Sequence, residues 1–517
     1  MRCRQLTIPF YFVFSSTIVL WTTSYGQPAG SLDIDFGMNG IYTNDIQNLG
    51  LRDQISQLSV QPDGKIIFVG GIRDAIGTEA DLLIGRLNES GSSDPTFGDQ
   101  GTTVTDIGGV DGLVGLHVQP SGNILCAGTS NQSGPYEHAF AQYDPNGNLD
   151  PSFGTAGVVY NAPLATSSTL TAGLFESETI YATGTMNGDV LASEYNSDGS
   201  SVNSFGTSGS VSHDLGLIET ITELALQDDG KIVLAGYQSE SGNPEDALVC
   251  RLNADGSLDP SFNSIGWINL GLSPNLDRAT DIVVDEDGRI LVIGITVESA
   301  TSSFEIFAVR LMPDGSYDSS FGTNGIARYD IGAGDDYAND VILQPDGKLI
   351  IGGGTNDDGT NLYENFCLIR LNDDGSLDQS FGNSGIVVTE ISSSYERIID
   401  MVLQDDGKLI VAGIAKIGSS EDIALARYHT GLNLSVNDRD EKPLFSVYPS
   451  PATGYLSISS KVKLQTIELT DALGKKVLTV KPNSNQMQLD IALLPSGIYL
   501  LRATDGQRLY TQKLVKE

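Results

Sequence analysis

A turn-rich phrase that returns along the chain constrains the fold more than any other feature. It reads LNDDGSLDQSFGNSG at residues 371–385 and LNADGSLDPSFNSIG at residues 252–266. Its phenylalanine recurs in seven copies at intervals of 52 to 61 residues: Phe36, Phe97, Phe153, Phe205, Phe262, Phe321 and Phe381. A fixed period of this size indicates an array of structural repeats. The copies fill residues 30 to about 434 and leave no room for another domain there.

Each repeat holds four apolar runs, which predict four strands. In the last copy they are IVVTEI, IIDMVL, KLIVAGI and IALARY, and the hairpin signal Asp406-Gly407 joins the second and third. The third run is apolar on both faces in most copies, so its sheet must be covered on both sides. A parallel β-helix would need a shorter repeat, and a single sandwich would show one polar face per strand. The sequence therefore predicts an all-β fold: a seven-bladed β-propeller with four strands per blade.

The phrase itself predicts a sharp turn between blades. The residue after the phenylalanine is Gly in six copies and Asn263 in the other, so we expect a left-handed backbone there. An Asp precedes the phenylalanine in six copies, with Asn203 expected to substitute in the fourth, and such side chains favour Asx turns. Gly70 and its equivalents inside the third run indicate a close backbone approach. The phenylalanines are expected to fill the wedge between adjacent blades.

The last repeat predicts how the ring closes. Its fourth run, IALARYH, is followed by TGLNLSV, which lacks the phenylalanine and the paired glycines. The missing turn lies at the N-terminal end, in GSLDIDFGMNG, residues 30–40. Because a propeller leaves no blade edge free, we expect residues 32–43 to seal the seam and Phe36 to pack between the first and last blades.

The N-terminal residues 1–26 predict a signal peptide. Arg2 and Arg4 form a positive region, residues 6–21 are largely apolar, and cleavage is expected between Gly26 and Gln27. No stop-transfer charges follow, and no other apolar run reaches the roughly 18–20 residues that span a bilayer. The sequence therefore predicts a soluble exported protein with no transmembrane segment.

A different domain follows a charged linker at residues 435–443. Residues 444–517 alternate apolar and polar residues in short strands separated by turn signals, which predicts a small β-sandwich. The segment resembles the type A C-terminal sorting domain of the Bacteroidetes type IX secretion system, although Ser450 replaces the usual Asn. The residues that carry the resemblance are Tyr448, Pro449, Pro451, Leu473, Gly474, Pro495, Gly497 and Tyr499. It implies passage through the periplasm, export across the outer membrane by the type IX machinery, and removal of the tail.

Residues 27–434 resemble the delta-60 repeat family of β-propellers. The resemblance rests on the recurring pattern of Asp-Gly-Lys, a glycine pair, and the phrase RLN.DGSLD.SFG..G. Members are mostly exported bacterial proteins, and the family implies no single activity. The domain plan is thus a signal peptide (1–26), a propeller (27–434), a linker (435–443) and a sorting domain (444–517).

Charge and cysteine usage exclude some functions. The formal net charge is −37, although residues 442–517 carry ten Lys or Arg against five Asp or Glu. So acidic a repeat region repels phosphate backbones, which argues against nucleic-acid binding. Cys126, Cys250 and Cys367 lie far apart in apolar runs, so we expect buried structural thiols rather than disulfides or a zinc site.

Two patterns suggest chemistry. An Arg ends five of the seven fourth strands, replaced elsewhere by Gln142 and Glu194; it could form an anion-binding ring, but repetition favours a structural ion pair with the turn carboxylates. The turn containing Asn372, Asp374 and Asp378 could hold structural calcium, yet the full alternating pattern and its closing Glu are missing. No catalytic residue is assigned, because no nucleophile elbow, zinc motif or phosphate loop occurs; no cofactor is expected and metal binding stays open.

The variable loops suggest where a ligand binds. The segments TSNQSGPYE, YQSESGNPED and TNDDGTNLYEN differ between repeats and contain Tyr136, Tyr237 and Tyr363 respectively. Aromatic residues on polar loops suit glycan or peptide contacts. We expect a monomeric, non-catalytic binding or adhesion platform at the cell surface or in the medium. The alternative is a propeller hydrolase or lyase acting on extracellular polysaccharide.

Overall fold

The structure is a computed structural model that divides the chain into two compact units, residues 1–434 and 435–517. The residues that it describes are 27–46, 52–73, 80–109, 112–132, 136–161, 168–176, 178–240, 244–299, 303–356, 359, 363–418, 420–432, 445–448, 452, 454–471, 475–482, 484–492, 494–495, 497–504 and 509–516. The expected signal peptide lies outside these residues. The described part contains no α-helix and therefore no helix that could cross a membrane.

The first unit consists of short strands in chain order. They are β1 (Ile41–Asn44), β2 (Arg52–Val60), β3 (Ile66–Arg73), β4 (Ala80–Leu87), β5 (Thr102–Thr105), β6 (Gly112–Val118), β7 (Ile124–Ser130), β8 (Glu137–Tyr143), β9 (Val158–Asn161), β10 (Ser168–Glu176), β11 (Thr179–Met186), β12 (Asp189–Asn196), β13 (Ser210–His213), β14 (Ile218–Leu226), β15 (Ile232–Ser239), β16 (Asp246–Leu252), β17 (Trp267–Asn269), β18 (Leu276–Val284), β19 (Ile290–Val297), β20 (Glu305–Leu311), β21 (Ile326–Tyr329), β22 (Asp336–Leu343), β23 (Leu349–Thr355), β24 (Asn365–Leu371), β25 (Ile386–Thr389), β26 (Glu396–Leu403), β27 (Lys408–Ile417) and β28 (Ser420–His429).

These strands form antiparallel meanders of four. Five separate four-stranded sheets begin at β6, β10, β14, β18 and β22. A larger sheet joins β2–β5 to β26–β28 through one parallel bridge between Arg52 and Glu421, with β1 on the edge of β28. The run that the sequence suggested as first in each repeat is therefore the outer, fourth strand of the preceding sheet.

The first strand of each sheet belongs to a closed inner ring. This inner ring consists of β2, β6, β10, β14, β18, β22 and β26; each contacts the next, and β26 contacts β2. The apolar core lies between neighbouring sheets: one cluster, for example, joins Val233 and Val249 to Ile282 and Val292. Both faces of the second strands are thus buried, as their apolar sequences predict.

The N-terminal segment completes the last sheet, which confirms the predicted closure. β1 pairs antiparallel with β28, in register from Ile41 opposite Ala426 to Asn44 opposite Ile423. Phe36 is fully buried, in a cluster with residues of β2–β4 and of β27 and β28. The seam between the ends of the repeat region is therefore closed by hydrogen bonds and by apolar packing.

The recurring turn has the expected left-handed backbone. The residue after the phenylalanine has φ between 46° and 54° in all seven copies, and Asn263 adopts it where Gly is absent. The strand glycines confirm the close approach, because a Cβ on Gly70 would lie 1.9 Å from the Gln54 carbonyl oxygen. The expected role of Asn203 is wrong: the Val202 amide donates to the Glu194 carbonyl, as the Asp amide does elsewhere, so Val202 occupies that position.

The second unit contains two sheets around one apolar cluster. Its strands are β29 (Phe445–Tyr448), β30 (Tyr455–Leu464), β31 (Thr466–Asp471), β32 (Lys476–Val480), β33 (Ser484–Asp490), β34 (Gly497–Thr504) and β35 (Leu509–Lys516). The sheet orders are β29-β30-β33 and β32-β31-β34-β35. Leu456, Leu469 and Leu501 lie in the cluster that both sheets contribute to.

Candidate functional site

The two ends of the repeat sheets differ in chemistry. In a four-stranded meander, the turns after strands one and three lie at one end, and those after strands two and four at the other. The first end holds the Asp-Gly hairpins and the recurring phrase, and we call it the hairpin end. The second holds the segments that vary in sequence, such as the one between β23 and β24, and we call it the loop end.

At the hairpin end, the Arg column forms repeated buried ion pairs. The Nε atom of Arg251 donates to Asp259 Oδ2 at 2.8 Å, and Nη1 donates to the Pro313 carbonyl oxygen of the next sheet. The guanidinium lies 4.9 Å from the centroid of the Phe262 ring. The same set of contacts, with the ring distance between 4.5 and 4.9 Å, is made by Arg86, Arg310, Arg370 and Arg427. These cations are neutralised within the fold, so the anion-binding interpretation is wrong and the structural one is confirmed.

The two copies without Arg replace the ion pair in different ways. Gln142 Nε2 donates to Asp150 Oδ2 at 3.0 Å, which preserves the hydrogen bond. In the other copy, burial raises the pKa of Glu194, and the facing position holds Val202 instead of Asp. A second carboxylate there would repel Glu194, so an Asp in place of Val202 would be unfavourable without the Arg.

The turn carboxylates are occupied by donors of their own turns. Asp374 Oδ1 accepts hydrogen bonds from the amide and hydroxyl of Ser376, at 2.9 and 2.6 Å. Asp378 accepts from Ser380, Arg370 and Lys348. Although burial opposes it, these hydrogen bonds and the Arg370 charge hold the pKa of Asp378 far below its usual range. The carboxylates of the proposed calcium turn thus already have hydrogen-bond donors.

A second set of carboxylates lies on the inner ring. Each follows a β-bulge in its strand: Glu223, Asp281, Asp340 and Asp400. Asp281 Oδ2 accepts from the Val341 amide at 2.6 Å, and Asp400 Oδ2 accepts from the Leu58 amide at 2.6 Å. Each of these bonds joins one inner-ring strand to the next, so the bulge aims the carboxylate at its neighbour.

These inner-ring carboxylates carry no compensating cation. None of the ion pairs among the described residues involves them. Burial raises the pKa of Asp400 to about 7, and burial followed by the charge of Asp281 raises the pKa of Asp340 well above its ordinary value. Side chains in this state can hold and transfer protons. These carboxylates were not predicted from the sequence, although an acidic residue recurs inside the apolar runs ITELAL, ATDIVV, ANDVIL and IIDMVL.

At the loop end, the three tyrosines lie on separate sheets. Tyr237 lies within β15, with the Arg278 guanidinium 5.0 Å from its ring centroid, while Arg278 also pairs with Glu245. Tyr136 precedes β8 and is half-buried, whereas Tyr363 precedes β24 and is 45% exposed. Of the three, Tyr363 offers the largest free surface to a ligand.

A second feature of the loop end was not predicted from the sequence: a cluster of aromatic and charged side chains that includes Glu364, the residue after Tyr363. The Arg397 guanidinium lies 3.7 Å from the ring centroid of Tyr337 and 5.3 Å from that of Tyr395. Arg397 also forms an ion pair with Glu364, through Nη2 at 2.8 Å from Oε2. We call Tyr337, Glu364, Tyr395 and Arg397 the tyrosine–arginine cluster. It stacks planar groups at the loop end, an arrangement that also suits sugar rings and peptide side chains.

The buried cysteines and histidine offer no accessible reactive group. Burial raises the pKa of the Cys250 thiol to about 12, and Cys126 and Cys367 are free and buried too. Burial lowers the pKa of His138 to about 3, and its ring bonds to Tyr195 and Ser168. A neutral imidazole enclosed in this way stabilises the sheet contact.

Family comparisons recognise both units. A model described as a domain of unknown function (DUF5122) β-propeller matches residues 61–97, 119–153, 227–262, 286–321, 344–381 and 404–434. The model of the secretion system C-terminal sorting domain matches residues 446–517. The chain carries a DUF5122 β-propeller repeat region and a type IX sorting domain. This sorting domain directs export to the cell surface or the extracellular space and implies contact with the secretion machinery.

Several of the predicted sorting residues can be placed within the described part. Tyr499 is buried and its hydroxyl donates to the Pro495 carbonyl oxygen at 2.8 Å, while Gly497 begins β34. Tyr448 ends β29. Pro449, Pro451, Leu473 and Gly474 lie outside the described residues, as does Gly26 of the expected cleavage site.

No curated protein matches the sequence. The chain is similar to the solved structure of PorZ, a surface component of the type IX secretion system of Porphyromonas gingivalis, at 11% identity, with 90% of this chain and 81% of that chain covered and a TM-score of 0.26. It is similar to the polysaccharide lyase Uly1 at 12% identity, with coverages of 75% and 91% and a TM-score of 0.43. For the β-propeller domain of the Trilobed protease from Pyrococcus furiosus, identity is 10%, coverages are 76% and 98%, and the TM-score is 0.39. Likenesses this distant assign no activity to the chain.

Proposed function

We propose that the exported protein is a non-catalytic binding or adhesion platform. Residues 27–434 form a seven-bladed propeller, each blade consisting of one four-strand meander and the last one completed by β1. Residues 435–443 are a linker, and residues 444–517 form a β-sandwich that serves as the secretion signal. The signal peptide is removed between Gly26 and Gln27, and the mature propeller acts as a monomer.

The observation that carries this proposal is the difference between the two ends of the propeller. At the hairpin end, the recurring Arg and Asp side chains bind each other and the backbone of the next sheet. At the loop end, the segments differ from blade to blade, and Tyr363 remains exposed beside the tyrosine–arginine cluster. The uniform hairpin end, whose side chains bind each other, thus forms a rigid support for the variable loop end. Rigid scaffolds commonly present binding loops in this way.

The chemistry of the loop end favours a glycan or a protein segment as the ligand. Tyrosine rings and a stacked guanidinium provide flat apolar surface with polar edges. The acidic surface of the repeat region repels polyanions, which disfavours nucleic acids and heavily sulfated polymers. A neutral sugar or a basic peptide meets both conditions.

A glycan and peptide array probed with the exported protein tests this proposal. We expect retained binding without any change in ligand length. Tyr363→Ala should lower the affinity at least tenfold, about 1.4 kcal/mol, whereas the matched control Asp229→Ala, exposed at the hairpin end, should bind as the parent does. Equal binding by both variants, or no binding to any probe, would contradict the assignment of the loop end.

A hydrolase or lyase acting on polysaccharide is the second candidate. The inner-ring carboxylates support it, because burial raises the pKa values of Asp340 and Asp400. General acid catalysis needs a carboxyl group that stays protonated near neutral pH. Release of reducing ends or unsaturated sugars, abolished by Asp340→Asn, would establish this activity and overturn the platform proposal.

A further inference from the structure

Three carboxylates from distant parts of the chain meet where the ring closes. Asp45 directly follows β1, Asp53 lies in β2, and Asp422 lies in β28. One carboxylate oxygen from each lies within 4.8 Å of the other two. The cluster therefore involves the N-terminal closing segment, the first sheet and the last sheet together.

Each of these side chains has an oxygen with no hydrogen-bond partner. Asp53 is 1% exposed and Asp422 is 3% exposed, and the Oδ1 atoms of Asp45, Asp53 and Asp422 are all buried and unpaired within the described structure. Asp53 Oδ2 accepts from the Ile46 amide at 2.7 Å, so this bond orients the carboxylate without neutralising it. None of the ion pairs among the described residues involves the three aspartates.

Equivalent positions elsewhere in the propeller show what this site lacks. Asp277 occupies the place of Asp53 in β18, and it accepts from the Thr296 hydroxyl at 2.6 Å and the Ser273 amide at 2.8 Å. Asp336 in β22 likewise accepts from the Thr355 hydroxyl at 2.6 Å. The residue paired with Asp53 in the neighbouring strand is Ile72, whose side chain has no hydrogen-bond donor. The hydroxyl that satisfies the buried carboxylate in those sheets is thus missing at the seam.

Unpaired buried carboxylates destabilise a fold unless a proton or a cation neutralises them. One proton would leave the other two carboxylates repelling each other, whereas a divalent cation would satisfy all three. Calcium binds six to eight oxygens at about 2.3–2.6 Å, so two of its ligands can lie up to about 5 Å apart. The observed spacing meets that limit.

We propose that Asp45, Asp53 and Asp422 bind a calcium ion that fastens the closure of the propeller. The ion would connect β1, β2 and β28 at the single seam that the chain does not close by continuity. Water or backbone carbonyl oxygens would complete the coordination. Extracellular calcium modules bind with dissociation constants of about 10⁻⁴–10⁻³ M. A site of this affinity suits a protein that its sorting domain directs out of the cell.

The same three positions hold Asp189, Asp214 and Glu219 at the junction between β12, β13 and β14. Glu219 is fully buried with Oε2 unpaired, but Asp214 is exposed. That site is more open to water, and it is unchanged in the seam variants Asp53→Asn and Asp45→Asn. Any ion that it binds contributes equally to the wild type and to those variants.

Thermal unfolding of the purified protein, in EDTA and in millimolar calcium, tests the seam site. Calcium should raise the melting temperature of the wild type by several degrees, and magnesium should raise it less. Asp53→Asn removes one charge at constant shape, so most of the calcium-dependent increase should disappear. The matched control Asp277→Asn changes the equivalent carboxylate in a sheet with a hydroxyl donor, and it should keep the full calcium-dependent increase even if its own stability falls.

Counting bound ions by native mass spectrometry gives a readout independent of stability. Asp53→Asn and the milder loop variant Asp45→Asn should each hold one calcium ion fewer than the wild type. A calcium response in Asp53→Asn equal to that of the wild type would overturn the proposal. So would a wild type that ignores calcium while Asp53→Asn melts higher in EDTA, because the cluster would then be neutralised by protons alone.

Discussion

Arg427 donates from Nε to Oδ2 of Asp33 at 2.8 Å, across 394 residues of sequence. The same bond joins Arg370 to Asp378, eight residues apart, at the same distance. At the closure, a turn that is local in most of the repeats is therefore rebuilt from two distant segments. The ion pair at the closure has the same geometry as the ion pairs elsewhere, although its two residues come from opposite ends of the repeat region. The N-terminal segment is therefore an integral part of the last sheet and contributes to its stability.

Removing the closing segment should destabilise the propeller, and removing the tail should not. Deletion of residues 28–41 takes away Phe36 and the start of β1, which should cost about 3–5 kcal/mol, the scale of losing one buried phenylalanine. Deletion from residue 442 onward removes a separate unit and should leave the propeller within about 0.5 kcal/mol of the parent. Fluorescence of Trp267, which lies in β17, reports unfolding of the propeller in both variants. If both truncated variants have the same stability as the parent, β1 does not stabilise the closure of the ring.

Loss of one repeated arginine should be costly because its carboxylate partner stays buried. Arg251→Met leaves Asp259 without a cation and should lower the free energy of unfolding by about 3–5 kcal/mol. Arg251→Gln should cost clearly less, since Gln142 already pairs with Asp150 in this way. Urea unfolding followed by Trp267 fluorescence measures both, and a cost below about 1 kcal/mol for Arg251→Met would show that the ion pair is not needed.

Stability should fall as the pH rises from about 5 to about 8. The folded-state pKa of Asp400 is raised to about 7, above the unfolded value of about 3.9. Between these values the folded state binds more protons than the unfolded state, so the contribution of Asp400 to stability is present at low pH and is lost as the pH passes the folded pKa. Asp400→Asn keeps an acceptor for the Leu58 amide but cannot ionise. Melting temperatures measured in EDTA across this range should therefore vary less with pH in the variant, and an unchanged slope would contradict the assignment.

The exported form should lack both ends of the chain. Mass spectrometry of the protein recovered from the medium should give an N-terminus near Gln27 and a C-terminus near residue 442, if the signal peptide and the sorting domain are removed during export as we propose. A strain that lacks type IX secretion should retain the chain with its tail attached. Recovery of the full-length chain outside a secretion-competent cell would contradict this processing.

The recurring phrase predicted more of the fold than of the sites. The spacing of the phenylalanines and the Asp-Gly hairpins predicted repeated units of four strands, although the first run of each repeat belongs to the preceding sheet. The missing last turn predicted that residues 32–43 close the seam. The conformation of a turn depends on residues that are adjacent in sequence, so it can be predicted from the sequence alone. Asn203 was assigned wrongly to the position that Val202 occupies, because the fourth copy has neither the Asp nor the Arg that mark this position in most other copies.

The carboxylate clusters could not be predicted in the same way, because they depend on contacts between sheets. Nothing adjacent to Asp53 in sequence indicates that Asp422 lies beside it or that Ile72 stands where Thr296 stands in another sheet. The inner-ring carboxylates follow bulges, and a bulge changes the direction of a side chain without any clear mark in the residue pattern. The tyrosine–arginine cluster joins two sheets in the same way.

Because β1 and β28 lie at opposite ends of the repeat region, the order of synthesis determines when the ring can close. The chain is made from its N-terminus, so β1 must wait unpaired until every later strand has emerged. The sorting domain follows β28 in the chain and therefore emerges after it. A chain truncated anywhere within the repeats would lack its export address as well as its final sheet. Placing the address after the closing partner thus restricts export to chains that already contain all the strands of a complete ring.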